Sequence, residues 1–483
     1  MSADILKTNK LSKEYFGLKS ELARPLVCVQ GLGFVGAAMS VAVAQAMDSD
    51  GKKIFDVLGV DLPTTQGKAR AEAIRSGNFP FSSGDEKLER ETKACHEDGN
   101  LSATTESSAF ALADIVVIDV NLDVDFSETP PVAVFDNYVR AISTVGRFVA
   151  PNALIIVETT VPPGTCERIV LPALQRTFKN RGLNPKKILL AHSYERVMPG
   201  PGYLDSIVNY WRVYAGICED AADLCETFLE KIIDTDNFPL RRLSSTTASE
   251  TAKIMENTYR AANIALIDEW GVFAENIGVD IFEIIDAIRD RPTHSNIRQP
   301  GFGVGGYCLT KDPSFANIAN NTFFKKNSVA FPVAELAMTI NSQMPIRNLN
   351  RILSIVDKEP EQIKMLMLGV AYRSEVDDTR FSASETFYRQ AIARGIDVQV
   401  HDPHVKRWEE VGIDIETSLP NADFSDVVVF CVPHKFYQTI NFSDWLSDKS
   451  IIVYDCDKVL SEKQITEIAL TGIRVEGTGR GKI

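Results

Sequence analysis

An apolar run, Leu26-Val-Cys-Val-Gln30, leads without a spacer into Gly31-Leu-Gly-Phe-Val-Gly36, and an alanine-rich stretch from Ala37 to Met47 follows. A buried strand, a glycine turn and a helix in immediate succession open a doubly wound α/β domain and form the fingerprint of a dinucleotide site. Gly31 permits the tight turn, Gly33 lets the backbone approach a pyrophosphate, and Gly36 lets helix and strand pack closely. Phe34 and Val35 begin the helix, whose N-terminal N–H groups and positive dipole end then face the phosphates. A second strand, Phe55–Val60, ends in Asp61, where an acid binds adenosine ribose hydroxyls; with no arginine just after it, NAD is favoured over NADP. A glycine turn in some other α/β domain is the competing reading.

The alternation continues along the chain. Asp114–Val120, inside the apolar stretch Ala111–Leu122, and Ala153–Val157 read as buried strands, with helical sequence such as Pro131–Phe148 between them. Ile188–Ala191 is a further strand. Strands alternating with helices imply a parallel sheet with ligands at the strands' carboxyl ends. Thr159-Thr-Val-Pro-Pro-Gly-Thr165 lies at such an end, and Thr160 could hold a water or a cofactor group; an ordinary capping turn before Cys166 fits equally well. Glu195 and Arg196, in Ser193-Tyr-Glu-Arg-Val-Met-Pro-Gly200, are site candidates on the same ground, although loop surface charges look the same.

A long helix is expected from Thr247 to Asn276, which holds no proline and one glycine. Thr247-Ala-Ser-Glu250 reads as its capping box, and Ala252, Met255, Tyr259, Ile264 and Ile267 recur at helical spacing. Lys253, Asn257 and Arg260 then share one face, as part of a site wall or as a solvated stripe. Ile264, Ile267, Trp270 and Phe273 exceed what one packed face needs, so this helix is expected to pack against its copy in a homodimer or higher homo-oligomer. Helical sequence continues over Ile281–Arg289 and from Pro332 to about Leu349. After it, Lys364–Ala371, Asp397–Asp402, Asp426–Val432 and Ile451–Asp455 read as strands of a second parallel sheet, with a helix over Ser382–Arg394. This half lacks a full glycine fingerprint, which suits a domain for a nucleotide-bearing substrate better than a second NAD site. Tyr372, Arg373 and the Asp377-Asp-Thr-Arg380 run lie where phosphates or sugar would approach, and arginine suits diphosphate; a solvated charged loop is the alternative.

Between the halves lies Gly301-Phe-Gly-Val-Gly-Gly-Tyr-Cys-Leu-Thr-Lys-Asp-Pro313. Its glycines, Gly305 among them, allow close backbone approach, and Cys308, Lys311 and Asp312 follow at once. A thiol is a nucleophile as its thiolate, which a nearby lysine favours, and a carboxylate beside it can act as a base. The plain alternative is a surface turn, since cysteines are more often small buried hydrophobes.

The net charge of -14 disfavours nucleic acid and anionic membranes as partners. No apolar run approaches the ~18 residues of a membrane span, and the first 25 residues lack the apolar core of a signal peptide. Eight scattered cysteines without a metal-type pair imply a reduced, cytoplasmic protein. No metal site is expected: no histidines are spaced as a ligand pair on a helix, and His401 and His404 flank a turn at Asp402-Pro403. The chain divides into an N-terminal extension over 1–25, read as a helix packed on the body, an NAD-binding domain over 26–215, a central helical domain with the cysteine loop over 216–345, and a Rossmann-like domain for the nucleotide-bearing substrate over 346–483. The fold class is α/β, with two Rossmann-like doubly wound sheets joined by the long helix.

Taken together, these motifs resemble the UDP-glucose/GDP-mannose dehydrogenase family, the nucleotide-sugar 6-dehydrogenases. The resemblance rests on Gly31–Gly36 with Asp61, Gly77-Asn-Phe-Pro80, Thr160-Val-Pro-Pro-Gly164, Glu195-Arg196, Lys253 with Asn257-Thr-Tyr-Arg-Ala-Ala-Asn263, Gly301–Asp312, and Asp377–Arg380. Only the first 25 residues and the tail after Ile473 lie outside it. Tyr-Glu-Arg-Val-Met-Pro-Gly and Gly-Val-Gly-Gly-Tyr-Cys are similar to the branch that oxidises UDP-N-acetylhexosamines. Tyr307, Val120-Asn121-Leu122 and Lys458 depart from the family's usual residues.

The resemblance implies oxidation of a sugar's C6 alcohol to the uronate, for polysaccharide precursors, with two NAD used in turn. It implies that Cys308 captures the aldehyde as a thiohemiacetal that is oxidised to a thioester. A water held by Asp312 and Thr160, or Lys253 itself, serves as first base. Lys253 and Asn257 stabilise the oxyanion, and Asp312 or Glu195 activates the hydrolytic water. Arg196, Arg260, Gly305, Lys311, Tyr372, Arg373 and Arg380 contact substrate in this reading, with Lys311 alternatively tuning the thiol and Arg380 serving a neighbouring subunit's site. UDP-glucose or GDP-mannose oxidation, a two-electron 3-hydroxyacid dehydrogenase and a non-catalytic nucleotide-binding regulator are the alternatives.

Overall fold

The computed structural model describes residues 11–19, 24–326, 329–446 and 450–481. Contacts group the chain into two compact units, Met1–Ile254 with Phe315–Val329, and Met255–Ser314 with Ala330–Ile483.

The first unit is built on eight strands: β1 Leu26–Gln30, β2 Asp56–Val60, β3 Leu101–Thr104, β4 Ile115–Ile118, β5 Leu154–Val157, β6 Leu189–His192, β7 Val213–Gly216 and β8 Arg241–Arg242. Their order is β8-β7-β6-β5-β4-β1-β2-β3, which contains the 3-2-1-4-5-6 winding of a Rossmann sheet. Neighbours run parallel except β6 and β7, where Ala191 faces Gly216 in antiparallel register. The purely parallel sheet expected from the sequence thus gains an antiparallel pair near one edge, a common addition to doubly wound sheets. Successive strand residues point to opposite faces. Val27, Val29, Val57 and Val117 enter one core, and Leu26, Cys28, Leu58 and Val116 the other. Covering both faces is why these strands are apolar throughout instead of alternating.

The second unit contains β9 Lys364–Leu368, β10 Asp397–His401, β11 Val427–Phe430, β12 Ile452–Asp455 and β13 Arg474–Gly477. All pair in parallel in the order β10-β9-β11-β12-β13, a 2-1-3-4-5 winding that reverses between β9 and β11. Met365, Met367, Val427 and Val429 face one core, and Leu366, Leu368, Val428 and Phe430 the other.

Helix α1, Phe34–Gln45, follows β1, and α2 is a 32-residue helix over Thr246–Ile277. The capping box expected at Thr247 does not form. Ser245 Oγ accepts the Ala248 N–H at 3.1 Å, and Glu250 turns instead to the Gly164 loop. Ile264 and Ile267 are buried, whereas Met255, Tyr259, Leu266, Trp270 and Phe273 are each more than half exposed. The face that packs is therefore one step round from the face the spacing suggested. Short helix α3 covers Tyr307–Lys311, and α4 runs over Pro332–Ile355, past the expected end near Leu349. The helix expected from Pro131 begins at Phe135, because Val132–Ala133 pair with Val124–Asp125 instead.

Of the N-terminal extension, residues 1–10 and 20–23 lie outside the described residues. Within it, Glu14–Phe16 form one 3-10 turn, and Phe16 and Leu18 join the first unit's core. Among the described residues no helix is long and apolar enough to cross a membrane.

Candidate active site

The glycine turn of the first unit is fixed by contacts as much as by conformation. Gly31 has φ +93, and a Cβ there would meet the Asp119 carbonyl oxygen at 2.7 Å; a Cβ on Gly36 would meet the Gly31 oxygen at 1.9 Å. Over Gly33 the opposite holds, since a Cβ would find nothing within 4 Å. That open backbone begins α1, with Phe34 and Val35 half-buried in its first turn. The Phe34 ring stacks on Phe81 at 4.1 Å, and its carbonyl accepts the Tyr203 hydroxyl at 2.5 Å. Asp61 ends β2. Its Oδ1 accepts the Leu62 N–H at 2.7 Å, whereas Oδ2 is buried with no hydrogen-bond partner and lies 3.5 Å from Arg70 Nη1. An orphan carboxylate oxygen beside an open glycine turn fits a dinucleotide's ribose hydroxyls and pyrophosphate. Arg70, nine residues beyond Asp61, was not part of the sequence reading.

Two further groups in this unit surround the expected site residues. Thr159 Oγ1 donates to the carbonyls of Ile118 and Val120 at 3.1 and 2.8 Å, which ties its loop to the end of β4. Thr160, next to it, is half-buried. Glu250, fully buried on α2, accepts the N–H groups of Gly164 at 2.5 Å and Cys166 at 2.8 Å. Burial pushes its carboxyl up to about 7 against the pull of those donors. Glu250 thus holds the loop that carries Thr160, a role that no local pattern reveals.

Lys253, 5% exposed, donates to the Glu195 carbonyl at 2.7 Å and stands 3.5 Å from Glu195 Oε1. Its ammonium lies 5.4 Å from the Tyr194 ring centroid, with the Arg196 guanidinium 5.1 Å from the same centroid. Arg196 also donates to the Tyr194 hydroxyl at 3.2 Å and to the Trp211 carbonyl. Buried His192 at the end of β6 bonds Ser249 Oγ at 2.8 Å, and burial, then the Lys253 charge, push its imidazole down to about 3. It therefore stays neutral beside the ammonium. Glu195, Arg196 and Lys253 are thus brought together, around a tyrosine that sequence reasoning did not single out.

The second unit carries the cysteine loop. A Cβ on Gly305 would meet the Phe381 carbonyl at 2.4 Å, and Gly306, at φ +76, lies against the Tyr372 ring. Glycine is therefore needed here for close packing on the 372–382 loop. Cys308 is an exposed thiol at the start of α3. Asp312, nearly fully buried, accepts from Asn257 Nδ2 at 2.7 Å and stands 3.5 Å from Lys311 Nζ.

Arg260 feels the charge of Cys308. Arg260 is solvent-accessible, yet desolvation and then Arg298 hold its guanidinium below the usual value, Cys308 opposing and Arg373 adding. Arg298 and Arg373 thus act on Arg260 alongside the thiol; Arg298 had carried no signal in the sequence. Tyr372 belongs to the same group, its hydroxyl pushed up to about 12 by burial, then by Asp378, with Cys308 contributing. Arg380 is held by a fork to Asp378, at 2.8 and 2.7 Å, and donates to the Tyr307 hydroxyl at 3.2 Å. Desolvation works against its charge, but the Asp378 contacts raise its pKa overall.

Three consecutive parts of the chain match the models of one family: its NAD binding domain at residues 25–232, its central domain at 247–343 and its UDP binding domain at 366–462. The chain belongs to the UDP-glucose/GDP-mannose dehydrogenase family. Among curated members it is 28% identical to the UDP-N-acetyl-D-mannosamine dehydrogenase of Pyrococcus horikoshii, over 95% of this chain and all of that one. It is 26% identical to the NDP-N-acetyl-D-galactosaminuronic acid dehydrogenase of Ralstonia nicotianae, over 91% and 97%. The solved structure of the Pyrococcus horikoshii UDP-D-ManNAc dehydrogenase superposes with a TM-score of 0.78 at 27% identity, covering 95% of this chain and 100% of that one. As a member of this dehydrogenase family the protein is an NAD-dependent nucleotide-sugar dehydrogenase, with NAD as its cofactor and a UDP-sugar as its substrate.

Cofactor preference follows from the turn. Asp61 would face a 2′-phosphate with like charge, and Arg70 at 3.5 Å offsets that only in part. NAD is expected to exceed NADP in kcat/KM by at least about tenfold, the ratio given by ~1.4 kcal/mol. Comparable efficiencies with the two cofactors in steady-state assays would refute this.

Proposed function

We propose that the protein oxidises the C6 hydroxyl of a UDP-N-acetylhexosamine to the uronate, in two two-electron steps through a Cys308 adduct. The observation that carries the chemistry is Cys308, an exposed thiol on a glycine-packed loop, whose charge acts on Arg260. Arginine forks suit the diphosphate of a nucleotide sugar, and cationic neighbours favour a thiolate. Bound NAD supplies the hydride acceptor for each step. In the first oxidation the hydroxyl proton passes to a base, either a water held by Asp312 and Thr160 or Lys253. The thiolate then adds to the aldehyde carbon, and the oxyanion that forms takes a proton to give a thiohemiacetal. Loss of that proton and of a second hydride gives a thioester, and water, deprotonated by Asp312 or Glu195, expels the thiolate. Covalent capture keeps the aldehyde in place while the cofactor exchanges. Lys253 and Asn257 supply charge and an N–H donor to the oxyanion.

The sugar assignment is supported by the names of the relatives, which act on N-acetylated sugars, and by the Glu195-Arg196 pair beside Tyr194. A panel of UDP- and GDP-sugars scored by NADH formation tests it. UDP-N-acetylglucosamine or UDP-N-acetylmannosamine is expected to be the better substrate; UDP-glucose turned over as efficiently as both would overturn the assignment. Cytoplasmic location and a role in polysaccharide precursor synthesis belong to the same reading.

A homodimer is part of it as well. Met255, Tyr259, Leu266, Trp270 and Phe273 leave an apolar stripe exposed on α2, where a second copy would bury it. Light scattering at assay concentration is expected to give a dimer or larger. An active, monodisperse monomer would exclude this.

A further inference from the structure

We propose that the carboxyl edge of the second sheet holds a divalent cation of the zinc class between Glu375, His404 and His434. The three residues come from the loops after β9, β10 and β11. β9 and β11 are neighbours, and the winding reverses between them, so these loops flank the crevice where open α/β sheets bind ligands.

One ligand atom from each residue lies within 4.8 Å of the other two. Glu375 Oε1 stands 3.6 Å from His404 Nε2 and 3.7 Å from His434 Nδ1. Donors bound tetrahedrally at about 2.0–2.1 Å from zinc are about 3.4 Å apart, so a small closure seats the ion. Two imidazole nitrogens and one carboxylate suit zinc better than magnesium or calcium, which take oxygen ligands.

The surroundings fix the ligands in the required state. His434 is fully buried, and its Nε2 is 3.2 Å from Oδ2 of the buried Asp402. Asp402 already accepts backbone N–H groups from Val370, Ala371, His404 and Val405. A carboxylate so placed makes His434 Nε2 the proton carrier and aims the Nδ1 lone pair at Glu375 and His404, the carboxylate–histidine–metal arrangement. That lone pair now accepts the Glu375 N–H at 3.0 Å, a bond the ion would replace. The His404 and Glu375 side chains keep 32% and 18% exposure, which leaves a coordination position open to water.

No local pattern hinted at this, because the three ligands are about thirty residues apart and His404 stood out only beside His401. His401 points elsewhere, to the Tyr437 hydroxyl and the Thr417 carbonyl. The expectation of no metal site is replaced by this proposal. A bound ion would tie the loop carrying Tyr372, Arg373 and Arg380 to the ends of β10 and β11.

The test is Zn²⁺ titration of the chelator-stripped full-length protein against a chromophoric chelator, with Co²⁺ absorption as the spectroscopic probe. Wild type is expected to bind one equivalent that His404→Ala and Glu375→Gln each weaken by at least about 10–100-fold. Cys308→Ala should retain it, and the Co²⁺ spectrum should lack a thiolate charge-transfer band. Zn²⁺ should raise the melting temperature of wild type and not of the two site variants, whose metal-free melting curves report their folding. Absence of binding in wild type, equal binding in wild type and Glu375→Gln, or loss of the equivalent in Cys308→Ala would each overturn the site.

Discussion

Cys308→Ala is expected to abolish conversion to the uronate, with a loss on the order of 10³-fold or more, as for removal of other covalent nucleophiles. NAD binding should survive, because the glycine turn and Asp61 belong to the first unit and Cys308 to the second. Wild type should form two NADH for each uronate and release no detectable aldehyde. Any slow first oxidation left in the variant would yield one NADH and an aldehyde free to leave or hydrate. Counting NADH against product and trapping aldehyde with a carbonyl reagent separates the two. An ordinary surface thiol would leave both stoichiometry and rate nearly unchanged. Uronate formation by Cys308→Ala at near wild-type rate would therefore rule out covalent catalysis at this residue.

Arg212→Met is expected to cost about 3–5 kcal/mol of stability, the range for a buried ion pair that loses one partner. Arg212 and Glu158 are each 2% exposed and hydrogen-bonded to each other, and Arg212 also reaches Met39 of α1. Asp119 shares this pocket, its buried carboxyl close to that of Glu158. Burial, then the Glu158 charge, push the Asp119 carboxyl well above the usual carboxylate range, while Arg212 lowers it. A carboxyl raised in the folded state contributes stability that is full below its unfolded pKa of about 3.9. That contribution is lost as pH rises through the folded value. Removing Arg212 raises the folded value further, so the deficit of the variant should widen as pH rises past the wild-type folded value. Urea denaturation at several pH values measures this; a loss below ~1 kcal/mol that does not grow with pH would contradict it.

The sequence determined the scaffold of this protein because strands, turns and helices are written in local patterns. Leu26–Gly36 could become little else, since a strand buried on both faces must be apolar throughout and Gly36 has the Gly31 oxygen in the space of a Cβ. The strands at 56–60, 115–118, 154–157, 364–368 and 427–430 were legible for the same reason. Short or polar ones, Leu101–Thr104, Arg241–Arg242 and Arg474–Gly477, were not, because sheet neighbours and not their own residues hold them.

Tertiary structure alone decided how charge is placed around these elements. Glu250 read as a cap of its own helix, yet two backbone donors 84 and 86 residues away hold it. Lys311 stood beside the thiol in sequence and its ammonium pairs with Asp312, while Arg260, far from the loop in sequence, feels the charges of Cys308, Arg298 and Arg373. Long polar side chains act several ångströms from their own backbone, and their partners come from other strand ends. No periodicity records such a meeting, which is also why Glu375, His404 and His434 remained invisible until the second sheet brought their loops together.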